Sequence, residues 1–122
     1  MVAGSEFIDL ILDLLDGFGQ VSVRRMFGGH GLFREGLMFA IVSDDVLYFK
    51  VDDDNRARFI RRRLQPFYYE KQGRQQMISY YQAPEEVFED AVEMCAWAQL
   101  AYAAALRSEK IKRKKVRTRN PK

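Results

Sequence analysis

The chain has 122 residues, 48% of them hydrophobic and 13% aromatic, which is enough to build one core at ordinary domain length and too apolar for a chain that stays unfolded. Its single cysteine, Cys95, and single histidine, His30, exclude an intrachain disulfide and a Cys/His zinc cluster. The formal charge of +3 hides an asymmetry, because residues 1–106 hold 11 Lys and Arg against 16 Asp and Glu, a net of −5, whereas residues 107–122 hold nine cations and one acid, a net of +8.

Phe7, Ile8, Ile11, Leu12, Leu15 and Phe18 recur at helical spacing with Asp9, Asp13 and Asp16 between them. They predict an amphipathic helix over residues 5–16, capped by Ser5 and ended by Gly17 in the left-handed region. The same aspartates interrupt the first apolar stretch, and no run approaches the roughly 18 apolar residues of a membrane span. No secretory signal is expected, and the lone cysteine suits a reducing compartment, so the expected location is cytoplasmic.

Three or four short strands are predicted, at 22–27, 31–34, 37–43 and 46–51, with tight turns at Glu35-Gly36 and Asp44-Asp45. Asp52, Asp53 and Asp54, followed by Arg61, Arg62 and Arg63, place acids and cations where the helix dipole favours them, predicting a helix over 53–64. Its narrow apolar stripe is Ala57, Phe59, Ile60 and Leu64, and Pro66 blocks its continuation. Aromatic and β-branched residues at 67–70 and 77–81 flank Gln72-Gly73 and predict a second hairpin. Pro84 is read as the first position of a long helix reaching about residue 107. Val87, Phe88, Ala91, Met94, Cys95, Ala98, Ala101, Tyr102 and Ala105 mark its buried face.

The expected fold is therefore α+β: an antiparallel sheet of two hairpin or meander units packed with an N-terminal helix, a short middle helix and a long C-terminal helix, forming one domain over residues 1–107. Phe27, Phe39, Tyr48, Phe59 or Ile60, Phe88, Ala91 and Ala98 are the expected core. Residues 108–122 read as a basic, disordered tail, because hydrophobicity collapses after Leu106.

The run Arg24-Arg25-Met26-Phe27-Gly28-Gly29-His30-Gly31-Leu32-Phe33 is followed by Phe39-Ala40-Ile41 and Leu47-Tyr48-Phe49-Lys50-Val51-Asp52, then by Pro66-Phe67-x-Tyr69 and Met77-x-x-Tyr80-Tyr81-x-x-Pro84. In order and spacing this series, with the Trp97 helix after it, resembles the N-terminal domain of the TfoX/Sxy family over about residues 5–106. The resemblance implies this α+β fold and a role among regulators of natural competence and transcription.

Gly28-Gly29-His30-Gly31 can cradle an anion beside Arg24 and Arg25, or can simply let the chain turn sharply and pass close to its neighbours. It has neither Walker-loop nor Gly-x-Gly-x-x-Gly spacing. Arg25, Met26, Phe27, Gly28, Gly29 and Gly31 are accordingly read as a structural motif. His30 has no orienting partner or nucleophile legible beside it, Cys95 falls on an apolar helix face, and Asp52 to Asp54 lack the EF-hand alternation. No catalytic residue, cofactor or metal ligand is assigned.

Arg58, Arg61 and Arg62, with Arg56 and Arg63, give the middle helix a basic side that is either solvated or a docking surface for an acidic partner. Adjacent tyrosines at 68/69 and 80/81 are expected to place one ring of each pair outward, to anchor a protein or stack a base, and the acidic body favours the protein. Lys110, Lys112, Arg113, Lys114, Lys115, Arg117 and Arg119 are candidate contacts for a partner or for nucleic-acid phosphates. The sequence thus reads as a non-enzymatic regulatory or adaptor domain acting through a protein partner with an electrostatic tail. The alternatives are weak, sequence-independent nucleic-acid binding by the tail, and an enzyme using the Arg24 to Gly31 loop.

Overall fold

The computed structural model describes residues 3–26 and 28–119, with side chains described over 6–26 and 28–115. Helix α1 (Ala3–Leu14) runs into a 3-10 turn (Asp16–Phe18) and four strands follow: β1 (Ser22–Met26), β2 (Gly29–Arg34), β3 (Leu37–Ser43) and β4 (Val46–Lys50). After the short helix α2 (Arg56–Arg61) come β5 (Pro66–Lys71) and β6 (Arg74–Gln82), a second 3-10 turn (Glu85–Phe88) and the long helix α3 (Ala91–Arg119). The strands form one six-stranded antiparallel sheet in the order β1-β2-β3-β4-β6-β5. This is the α+β class read from the sequence.

The hairpin turns explain why the strands reverse where they do. Glu35-Gly36 and Gln72-Gly73 both have two successive positive φ angles, at 52° and 78° and at 54° and 76°, the geometry whose twist matches that of the flanking strands. Asp44-Asp45 does the same without glycine, at 51° and 60°, because a short aspartate side chain tolerates the left-handed region.

All three helices lie on one face of the sheet. Their core joins Ile11 and Leu15 of α1, Phe59 of α2 and Met94, Trp97, Ala98 and Ala101 of α3 to Leu32, Phe39, Ala40, Val42, Leu47 and Phe49 of the strands. A bulge adjusts β3 to this load: Leu32 pairs with Ala40 and Phe33 with Met38, so Phe39 is the extra residue. Phe39 and Ala40 consequently both enter the helix-side core, while Met38 and Ile41 join a separate cluster. That cluster, with Tyr48, Phe67, Tyr69, Ile78 and Tyr80, contains strand residues alone.

Several expectations are corrected. The first helix ends at Leu14, and the positive φ that follows belongs to Gly19, at 126°, while Gly17 lies inside the 3-10 turn. Ser5 falls within the helix, so it is not the cap, and its side chain lies outside the described residues. The middle helix spans six residues instead of twelve, because Asp52 to Asn55 form a hydrogen-bonded turn before it. Pro84 precedes a 3-10 turn, and α3 starts at Ala91. Ala91 is exposed, Phe88 is half-buried against Phe7 with ring centroids 5.5 Å apart, and Tyr48 packs in the strand-only cluster. Of Phe59 and Ile60, Phe59 is the core residue, and Ile60 is 55% exposed. Phe27 lies outside the described residues.

The largest correction concerns the tail. Helix α3 continues to Arg119 where a disordered segment from 108 is expected. The helix is already nucleated on the core, so each added residue needs only propagation. Lysine and arginine are good helix formers, they suit a helix C-terminus, and Glu109 pairs with Arg113 four residues on at 3.3 Å.

The turn before α2 is also where α3 is tied to the sheet. Asn55, 4% exposed, donates from Nδ2 to the Lys50 carbonyl at 3.1 Å and accepts the Asp52 amide at 2.8 Å. Asp52 receives the Arg107 guanidinium on both carboxylate oxygens, the Nη2 bond being 2.9 Å, and accepts the Asp54 amide at 3.0 Å. The Arg107 hydrogen bond, against a smaller effect of burial, holds the Asp52 carboxyl below its ordinary value.

Three outcomes are expected. Phe59→Ala, which empties a fully buried ring site beneath Trp97 and Tyr81, should cost about 3–5 kcal/mol in urea melts. A Cβ at Gly29 would stand 2.1 Å from the Val42 carbonyl oxygen, whereas one at Gly28 meets open space at a φ of 74°. Gly28→Ala should therefore cost about 1 kcal/mol and Gly29→Ala clearly more, at roughly 2 kcal/mol or above. Because the folded-state pKa of Asp52 is lowered, its contribution is present above the ordinary carboxylate range near about 4 and is lost as pH falls through that range toward the lowered value. Asp52→Asn should melt below wild type at pH 7, and the difference should shrink steadily on acidification toward pH 3.

Candidate functional site

Three surfaces gather the polar and aromatic residues singled out by sequence. The first lies on the sheet face away from the helices. The β5–β6 pairing slips between Pro66–Tyr81 and Phe67–Ile78, leaving Ser79 and Tyr80 as extra residues in β6, and such an irregularity bends a hairpin. The bent hairpin brings Phe67 against Tyr48, centroids 4.7 Å apart, and carries 67–71 to the turns at Gly28 and Ser43-Asp44 around an open cleft of about 640 Å³.

The tyrosine pairs divide unequally on this arm. Tyr68 is 50% exposed and faces Met77, 57% exposed, across the hairpin. Tyr69 stacks toward Phe67, Tyr80 is buried with its hydroxyl donating to the Met38 carbonyl at 3.4 Å, and Tyr81 packs against Phe59. Burial pushes the Tyr80 phenol well up, and it pushes the Lys50 ammonium, 5.2 Å from the Tyr80 ring, down, an effect to which nearby Lys112 adds. Only Tyr68 of the four is a strongly exposed aromatic.

At the glycine-rich turn, Gly28 has φ 74° and Gly29 runs against the β3 backbone, which accounts for glycine at both positions. Gly31 faces the Met26 and Met38 sulfurs, whose flexible ends define its close surroundings. Arg24 lies 4.3 Å over the Phe33 ring, and Arg25 stands opposite His30 on the paired strand. The two arginines fall on opposite faces of β1, as strand alternation requires, so they do not converge on one anion at the turn. Cys95 is partly buried, its Sγ 3.5 Å from the Leu14 carbonyl.

The second surface is built by α2 and α3 together. Arg58 and Arg62 each hold a guanidinium 5.6 Å from the Trp97 ring centroid, and Arg58, Arg61, Arg62 and Trp97 line a shallow depression of about 320 Å³. The indole is fixed from beneath by the edge of Phe59, and its Nε1–H donates to Glu93 at 3.3 Å. Arg62 also pairs with Glu86. Sequence spacing showed the arginines, but not the tryptophan under them.

The third surface is the outer part of α3. Lys110, Lys112, Arg113, Lys114 and Lys115 are exposed on a continuous helix, together with Leu106 and Ile111. Arg117 and Arg119 continue the same helix, and their side chains lie outside the described residues. Among the described residues no group of three or more His, Cys, Asp or Glu side chains could hold a metal ion, and no helix is long and apolar enough to cross a membrane.

The chain is similar to Protein Sxy of Escherichia coli (strain K12), with 24% identity over 97 residues, covering 80% of this chain and 46% of that protein. It is also similar to DNA transformation protein TfoX1 of Aliivibrio fischeri (strain ATCC 700601 / ES114), with 34% identity over 67 residues, covering 55% of this chain and 32% of the relative. The chain thus spans less than half the length of these relatives. The TfoX N-terminal domain matches residues 13–105, from the second half of α1 to the last buried alanines of α3, and the chain belongs to that family.

Proposed function

We propose that this chain is a non-enzymatic regulatory or adaptor domain of the cytoplasm, working through a protein partner with electrostatic help from the end of α3. Family membership supports the regulatory role, and the DNA transformation function in the name of the Aliivibrio relative gives the kind of process. The observation that carries the reading is the continuation of α3 beyond the core. Ala105 is the last buried residue of the helix among the described side chains, yet the helix runs on to Arg119. A helix rooted in the core holds its exposed cations in a fixed frame, which lowers the ordering cost of meeting a partner.

A second reading, weak nucleic-acid binding by the same segment, is favoured by its helical state. A basic helix fits the major groove and reaches phosphates on both sides of it, while the acidic body discourages closer approach. Cations on a helix point all round its axis, so about three or four would meet phosphates at once, giving a slope of log K against log salt of roughly −3 to −4.

Pull-downs with the full chain and with a form lacking residues 108–122, each with and without nuclease, separate the two. Proteins retained after nuclease, and reduced by the truncation, are the expected result. Capture abolished by nuclease would replace the first reading with the second, and absence of any captured macromolecule would sink both. For the second reading, two unrelated fluorescent duplexes should bind the full chain with equal affinity and the stated salt slope. A truncated form that binds duplex undiminished would end it.

A further inference from the structure

We propose that the arginine cluster of α2, seated on Trp97, is a docking site for an acidic segment of a partner protein, one rich in aspartate and glutamate. The inference rests on the adaptor reading above and names the surface and the partner chemistry. Arg58 and Arg62 both lie over the indole of a tryptophan that is itself 6% exposed and held by Phe59 and Glu93. A guanidinium on an aromatic surface keeps its in-plane N–H fork available to carboxylate oxygens while losing rotamer freedom in advance. Among the described residues neither Arg58 nor Arg61 forms an ion pair, so their donors are not committed within the chain. Ile60, 55% exposed between them in sequence, adds apolar area at the margin.

The surroundings select a short acidic peptide over a long polyanion. Glu86 pairs with Arg62 and Glu93 holds the indole on which the arginines lie, so carboxylates already stand at the site, and residues 1–106 as a whole are net acidic. A nucleic-acid backbone running across the patch would meet those carboxylates on leaving it, whereas a peptide can place two or three acids on the arginines and end. Arg62 already shows the chemistry in miniature by holding Glu86.

Trp97 is the only tryptophan in the chain, so its emission reports the site directly. Hexaglutamate titrated into the full chain at low salt should give a saturable change in that emission. Arg58→Ala/Arg61→Ala should weaken binding at least tenfold, Arg58→Lys/Arg61→Lys should fall between it and wild type, and the control Arg74→Ala at the β5–β6 turn should stay within about twofold. Thermal melts unchanged in the lysine variant keep the comparison free of folding effects. A Lys112→Ala/Lys114→Ala/Lys115→Ala chain should still bind, and its failure to do so while Arg58→Ala/Arg61→Ala binds normally would overturn the proposal in favour of the α3 end. A 12-base-pair duplex that needs Arg58 and Arg61 where hexaglutamate gives no response would overturn it in favour of nucleic acid. Unchanged emission with hexaglutamate, alongside nuclease-resistant capture of protein, would remove this surface while leaving the adaptor reading standing.

Discussion

The contact between the small-residue face of α3 and the bulged middle of the sheet governs the remaining structure. Ala98, Ala101, Ala104 and Ala105 are buried, and the absence of longer side chains on this face lets the helix axis approach β3 and β4 closely. The volume they leave is taken by large residues from elsewhere: Phe39 from the bulge, Phe49 from β4 and Phe18 from the 3-10 turn, with Phe18 and Phe39 5.0 Å apart. Large and small residues therefore interlock across the two layers. Arg34 closes the edge, lying over both Phe18 and Tyr102, at 4.5 and 4.8 Å from their ring centroids.

Fixing α3 in this way also decides what the surface can present. With one helix face spent on the sheet, Trp97 is turned toward α2, where it fixes the geometry of an otherwise short and weakly amphipathic helix. Six residues cannot hold themselves helical in water, so α2 depends on Phe59 beneath Trp97, on the Asp52 to Asn55 turn before it and on the Arg62 pair with Glu86. The same contacts that stabilise α2 arrange its arginines. Stability and presentation are coupled at this site, and that is why substitutions that keep the charge but change the fork are informative.

Charge is distributed unevenly over the domain. The acidic body, the small arginine cluster and the basic end of α3 lie on one continuous framework, since Arg107 locks the root of the α3 extension to Asp52 and thereby to the turn that leads into α2. The extension is consequently held in a fixed relation to the domain. The opposite face of the sheet, folded under the β5–β6 arm, takes up Tyr69 and Tyr80, the helix-side core takes Tyr81, and Tyr68 is left outward with Met77. Much of the aromatic content is thus structural.

Local chemistry in the sequence determined the elements and their order. The apolar runs over 37–43 and 46–51, the two-residue turns that bound them and the three- and four-residue spacing of α1 and α3 act over a few residues each, so local pattern reveals them. Two kinds of feature were decided only in three dimensions. Lone charges near a chain reversal look like a helix start until their partners are known: Asp52 belongs to Arg107, 55 residues away, and Asn55 belongs to the Lys50 carbonyl, so the middle helix is shorter than its charge pattern suggests. The fate of the basic segment likewise depended on whether a helix was already nucleated before it, a condition set by alanine packing on the sheet rather than by the segment's own composition. The arginines of α2 were visible in the sequence. That they sit on Trp97 was not, because the indole reaches them across 35 to 39 residues of chain, and only the packing of α3 against the sheet fixes the side of the helix on which it emerges.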